Sequence, residues 1–187
     1  LDISHNNIGD EGMGHLIRAL YQRGKMNPLA VFRANYCGFT SVMCSRLCSY
    51  LCSIGQEKCV TPMEISLDGN DMKESHERGE WARVLATNHS ISTLSLSCTG
   101  LGASAGSVTL LSAGLVQNKG SIQNLVLNDN RLGDTGAAAI LRAVVEVAND
   151  KRNEIGNVSG GGMLGRESEM NDRENEKRNE KLEGNEN

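Results

Sequence analysis

Aromatic residues are scarce, at 3% of 187 residues, so any core has to be built from aliphatic side chains. An excess of positive charge is also missing. The net charge of −4 argues against nucleic-acid binding, which needs clustered Lys and Arg to neutralise phosphates. No apolar run approaches the roughly 18 residues of a membrane span, so no membrane partner is expected. No basic segment followed by an apolar one opens the chain, so no signal peptide is visible. The chain starts at Leu1 rather than Met, inside a strand-like pattern, and a fragment or processed chain is expected. His5, His15, His76 and His89 form neither His-x-x-x-His nor H-E-x-x-H. G-x-S-x-G and G-x-x-x-x-G-K-[ST] are absent too, so nucleophilic and metal-assisted hydrolysis have no support, and no enzyme is expected.

What the chain does contain is a repeat. LDISHNNIGDEG at 1–12 aligns with LVLNDNRLGDTG at 125–136 as L-x-(I/L)-x-x-N-x-(I/L)-G-D-x-G. ISLDGNDM at 65–72, LSLSCTGLG at 94–102 and LAVFRANYCGFT at 29–40 follow the same frame. The marker residues are Asn6, Cys37, Asn70, Thr99 and Asn130, spaced by 31, 33, 29 and 31. Five copies at a near-constant period mark a stacked architecture, because one such unit cannot bury its own apolar face.

Alternation within each short strand sends Leu1 and Ile3, Phe32 and Ala34, Ile65 and Leu67, Leu94 and Leu96, and Leu125 and Leu127 inward. The marker Asn or Cys turns inward after them and bonds backbone groups that the turn leaves unpaired, with the Thr99 hydroxyl doing part of that work. Helices follow at 9–20, 40–51 and 133–147. Apolar pairs at i, i+4 (Leu16/Leu20, Leu47/Leu51, Trp81/Leu85, Leu111/Leu115, Ile140/Val144) form a one-sided stripe.

Cys44, Cys48 and Cys52 lie on one helix face, with Cys37, Cys59 and Cys98 elsewhere. This is not the pattern of a small disulfide scaffold, and reduced thiols serving as small hydrophobes favour the cytoplasm, with the nucleus as the alternative. A metal site using Cys59 as fourth ligand is set aside, since structural zinc sites pair their cysteines at short spacing on turns. No metal and no cofactor are expected.

One stretch imitates a cofactor site. In LSLSCTGLGASAG at 94–106, Gly100, Gly102 and Ala105 fit G-x-G-x-x-G/A, with Asp129 near the place of a ribose-binding acid. A dinucleotide-binding strand is buried on both faces and almost continuously apolar, whereas Leu94-Ser95-Leu96-Ser97 suits one buried and one exposed face. The same turn recurs at 9–12 and 133–136 without the pattern. GGGMLG at 160–165 matches as well, but no strand precedes it, and it reads as a flexible linker. Asn88-His89-Ser90 and Asn157-Val158-Ser159 are formal glycosylation triplets, relevant only to a secreted protein.

Residues 1–149 resemble the ribonuclease-inhibitor type of leucine-rich repeat, the type also found in NOD-like receptors and Ran GTPase-activating proteins. The second copy, with Cys37-Gly38-Phe39-Thr40, Cys44, Leu47, Cys48 and Leu51, resembles the cysteine-type frame. The first and last copies resemble the asparagine type. Thr99 at the Asn position and the stretch Lys73–Arg78 depart from it, so the third and fourth copies are expected to stack less regularly.

The resemblance implies an α/β leucine-rich-repeat solenoid. It would be a right-handed horseshoe segment of about five repeats, with strands on the concave side and helices outside. The outward strand residues then share the concave face: Asp2, Ser4 and His5; Arg33, Asn35 and Tyr36; Ser66, Asp68 and Gly69; Ser95, Ser97 and Cys98; Val126, Asn128 and Asp129. Tyr36 and Arg33 are the best anchors, by the preference of binding hot spots for those residue types. Asp2, Asp68 and Asp129 make the face mildly acidic. The expected function is non-enzymatic binding of a protein partner, with no small-molecule substrate. Activation of a Ran-type GTPase and the ligand-sensing end of an NOD-like receptor are the alternatives that the resemblance leaves open. Leu1 and Ile3 open the repeats without a cap, so association or fraying is expected there. Residues 150–187, with ten acids and seven bases and few apolar residues, are expected to form a disordered charged tail.

Overall fold

The computed structural model describes residues 1–23, 29–55 and 62–153. It divides into two units, Leu1–Val147 and Ala148–Asn187, a boundary two residues before the one expected from composition. In the first unit the elements alternate. They are α1 (Gly9–Arg23), β1 (Val31–Arg33), α2 (Ser41–Gly55), β2 (Met63–Ser66), α3 (Lys73–Glu77), α4 (Glu80–Thr87), β3 (Ile91–Ser95), α5 (Ala105–Gln117) and β4 (Asn124–Val126). A short 3-10 turn, Leu101–Ala103, precedes α5. A last helix, α6, starts at 133 and runs to the end of the unit at 147. In the second unit residues 148–153 are helical. From 154 on, the tail with its GGGMLG stretch and Asn157 lies outside the described residues, as does Cys59. Among the described residues no helix is long and apolar enough to cross a membrane.

The four strands form one parallel sheet in chain order, β1-β2-β3-β4. Register follows the repeat frame: Phe32, Ile65, Leu94 and Leu125 share one row, and Arg33, Ser66, Ser95 and Val126 the next. The first copy joins as a bridge between Asp2 and Arg33, so its backbone is paired on one side only. Phe32, Ala34, Ile65, Leu67, Leu94 and Leu96 bury themselves against Leu20, Leu47, Leu51, Trp81, Leu85, Leu111 and Leu115 from the helices. At the outer copies the inward expectation holds only in part. Leu1 is 48% exposed and Ile3, Leu125 and Leu127 are half-buried, because a neighbouring copy covers them on one side alone. Val144 is 52% exposed, a correction to the expected stripe; Ala143 takes the buried place on α6 beside half-buried Ile140.

The marker residues bind the turns as their chemistry requires. Asn70 Nδ2 donates to the carbonyls of Ala34 and Leu67, both at 2.8 Å, while its Oδ1 accepts from the Cys37 amide at 3.0 Å. Asn130 repeats this with the carbonyls of Leu96 and Leu127 and the amides of Thr99 and Leu101. Cys37 and Thr99 have a single donor each, given to the carbonyls of Ile3 and Leu96. Asn6 bonds the carbonyls of Ile3 and Ser4 but stays exposed rather than turned inward, since no copy precedes it among the described residues.

Gly102 sits where adjacent copies approach closely. A Cβ there would collide with the backbone carbonyls of Asn130 and Arg131, so the glycine permits close packing of adjacent copies. The cofactor-like pattern is a packing feature of the repeat.

Candidate functional site

The strand face opposite the helices carries the expected residues in three columns. In the first column, Arg33 lies between two acids. Its Nε and one terminal nitrogen reach Glu64 Oε1 at 2.7 and 2.6 Å, and the other terminal nitrogen is 3.9 Å from Asp2. Asp2 also accepts from the Ser4 amide at 3.0 Å; that bond, with the nearby Arg33 charge as a smaller contribution, holds its carboxyl below the ordinary range. Glu64 was missed by sequence reasoning. Its signal was parity, since it lies two residues before the outward Ser66 and so faces the same side.

The second column is a polar ladder. Asn35 Oδ1 accepts from Ser66 Oγ at 2.8 Å and from the Asp68 amide at 2.7 Å. One copy later, Asp68 Oδ1 accepts from Ser95 Oγ and the Ser97 amide, both at 2.7 Å. Ser66, Ser95 and Ser97 are consequently only 8% exposed, a correction to their expected place on an open surface. Neighbouring strands and ladder side chains cover short hydroxyls that alternation alone points outward. Asp68 spends one carboxylate oxygen on this ladder, and Asn128 is exposed at its end.

The third column is a ridge. His5, Tyr36, Gly69, Cys98 and Asp129 all adopt left-handed backbone, with φ of 62, 51, 68, 55 and 56°. Four of the five are not glycine, although a side chain in that region costs about 1–2 kcal/mol. The His5 and Tyr36 rings stack at 5.1 Å with 11° between their planes. The Tyr36 ring occupies the space where a Cβ on Gly69 would lie, and so bridges the one gap in the ridge. Beyond it, Cys98 Sγ is 3.7 Å from Asp129 Oδ2. The Cys98 thiol, with a smaller contribution from nearby Asp68 and Asp129, raises the Tyr36 pKa above the ordinary phenol range. Tyr36 is 51% exposed, so its far face is open to contact.

Two further asparagines escaped the sequence reading. Asn88 Nδ2 donates to the Leu51 carbonyl and its Oδ1 accepts from the Ser90 amide, while Asn118 Nδ2 donates to the Leu85 carbonyl and its Oδ1 accepts from Ile122. They tie helix ends to strand starts, and their separation of 30 residues matches the repeat period. Asn88 is fully buried and cannot serve as a glycosylation acceptor in the folded chain. Among the described residues the convergent set of metal-type ligands is Cys44, Cys48 and Glu80, on the helix side.

A leucine-rich-repeat family model matches residues 1–16 and 121–141. No curated protein matches the chain. The matched stretches are the first and last copies of the frame, the two closest to the asparagine type. Over those two stretches the chain is similar to leucine-rich repeats, and the parallel sheet between them keeps the same period.

Proposed function

We propose that this chain is a non-enzymatic protein-binding module, a leucine-rich-repeat solenoid of the ribonuclease-inhibitor type that holds a partner on its concave strand face. Leucine-rich repeats commonly mediate contacts between proteins. The observation that carries the proposal is the ridge of His5, Tyr36, Cys98 and Asp129. Four side chains are kept at a conformational cost on one exposed line, and none of the four is needed for the core. Around it Asp2, Glu64, Asp68 and Asp129 outnumber Arg33, so the face suits a cationic segment of the partner, with Tyr36 offering a ring to an incoming guanidinium.

A photo-reactive amino acid tests this. Placed at Tyr36, it is expected to give a discrete protein adduct in a cell extract. Placed at Val42, exposed on the helix side, it is expected to give none. Adducts at Val42 and none at Tyr36 would move the binding surface away from the strands.

A further inference from the structure

The buried thiols of α2 meet a carboxylate that the repeat frame does not supply. Cys44 Sγ and Cys48 Sγ are 4.0 Å apart, one helical turn from each other. Their ligand atoms and a Glu80 oxygen all lie within 4.8 Å of one another. Two thiolates on one tetrahedral Zn²⁺, each at about 2.3 Å, stand ~3.8 Å apart. The sulfur pair therefore already has the spacing of a shared zinc ion. Met72 Sδ lies 3.2 Å from Cys44 Sγ and closes a further side with a soft donor.

Core packing accounts for the cysteines but not for Glu80. Its side chain is 14% exposed, in a position reached only because the third copy breaks into α3 and α4 at Arg78 and Gly79 (φ +67°). Burying a carboxylate beside two thiols is unfavourable unless charge or hydrogen bonds compensate. For Glu80 its neighbours supply that compensation and fix the carboxylate in place beside the thiols. Ser45 Oγ donates to it at 2.7 Å, Ser75 Oγ donates to its other oxygen, and Arg78 Nε lies at 3.2 Å.

We propose that Cys44, Cys48 and Glu80 form a zinc site that clamps α2 to α4, with Met72 against its fourth side. On binding, two S–H bonds break, two Zn–S bonds and one Zn–O bond form, and two protons leave to solvent. The three donors carry −3, which Zn²⁺ and the neighbouring Arg78 balance.

The test uses the full chain, reduced and stripped by a chelator, titrated with Zn²⁺ or Co²⁺ alone. The expected result is one ion per chain, two protons released per Zn²⁺, and a thiolate-to-cobalt charge-transfer band with tetrahedral d–d bands for Co²⁺. Co²⁺ should also quench Trp81, the single tryptophan, which adjoins Glu80. E80Q removes a direct ligand and should weaken Zn²⁺ binding by at least the ~10–100-fold that loss of a supporting partner costs, while C52S and C59S leave it unchanged. Because C44S/C48S puts the core itself at risk, E80Q and the wild-type cobalt spectrum decide the matter. A folded chain without the charge-transfer band, binding unaffected by E80Q, or binding abolished by C52S or C59S overturns the proposal. So does a site that takes Cu⁺ but not Zn²⁺.

Discussion

His76 occupies a buried position in the irregular third copy, with Nε2 2.9 Å from Thr99 Oγ1 and Nδ1 without a hydrogen-bond partner among the described residues. Burial lowers its pKa from 6.5 to about 4, against a smaller opposing effect of the Glu80 charge. A base with a lower pKa in the folded state binds more protons unfolded than folded between those two values. Its contribution is therefore intact above about pH 6.5 and is lost as the pH falls toward 4, by on the order of 3 kcal/mol. Urea unfolding of wild type and H76Q at a series of pH values checks this. The wild type should lose more stability than H76Q between pH 7 and 4.5, and parallel curves would contradict it. No motif flagged His76 in the sequence, because its burial follows from α3, a short helix that the repeat periodicity does not describe. The marker residues were legible because a buried amide at a fixed period has one structural task. Asn88 and Asn118 have the same kind of task, but their period was hidden behind a glycosylation triplet.

At the scale of the strand-to-helix turn, the same residue type carries different weight according to what covers it. Asn70 is buried and satisfies the Cys37 amide together with the Ala34 and Leu67 carbonyls. Asn6 makes only local bonds and is exposed. N70A should therefore cost about 3 kcal/mol, and N6A less than about 1 kcal/mol, in denaturant unfolding. Equal losses would show that the bonds between copies contribute nothing. Helix positions were legible from the i, i+4 stripe, although α1 and α2 run to Arg23 and Gly55, beyond the expected ends. The break between α3 and α4 was foreseen only as irregularity at Lys73–Arg78. Its consequence, a carboxylate delivered to the α2 cysteines, depends on three-dimensional placement that spacing cannot give.

Over the whole molecule, the order of the sheet and the register of its rows followed from one alignment of five copies. A constant period leaves little choice of topology once strands are parallel and connections are helical. The open strand face was legible in outline and not in detail. Alternation named its columns, but the burial of the serines and the pairing of Arg33 with Glu64 arise from contacts between copies. The same contacts divide the face into a buried ladder and an exposed ridge, and the proposed function rests on that division. The most direct measurement is quantitative recovery of co-purifying proteins by the wild-type chain, by R33A/Y36A, and by R18A/R46A on the exposed helix side. The prediction is a specific set of proteins that R33A/Y36A depletes by ~10-fold or more and R18A/R46A leaves unchanged. Recovery of every partner at full strength by a folded R33A/Y36A chain would contradict it.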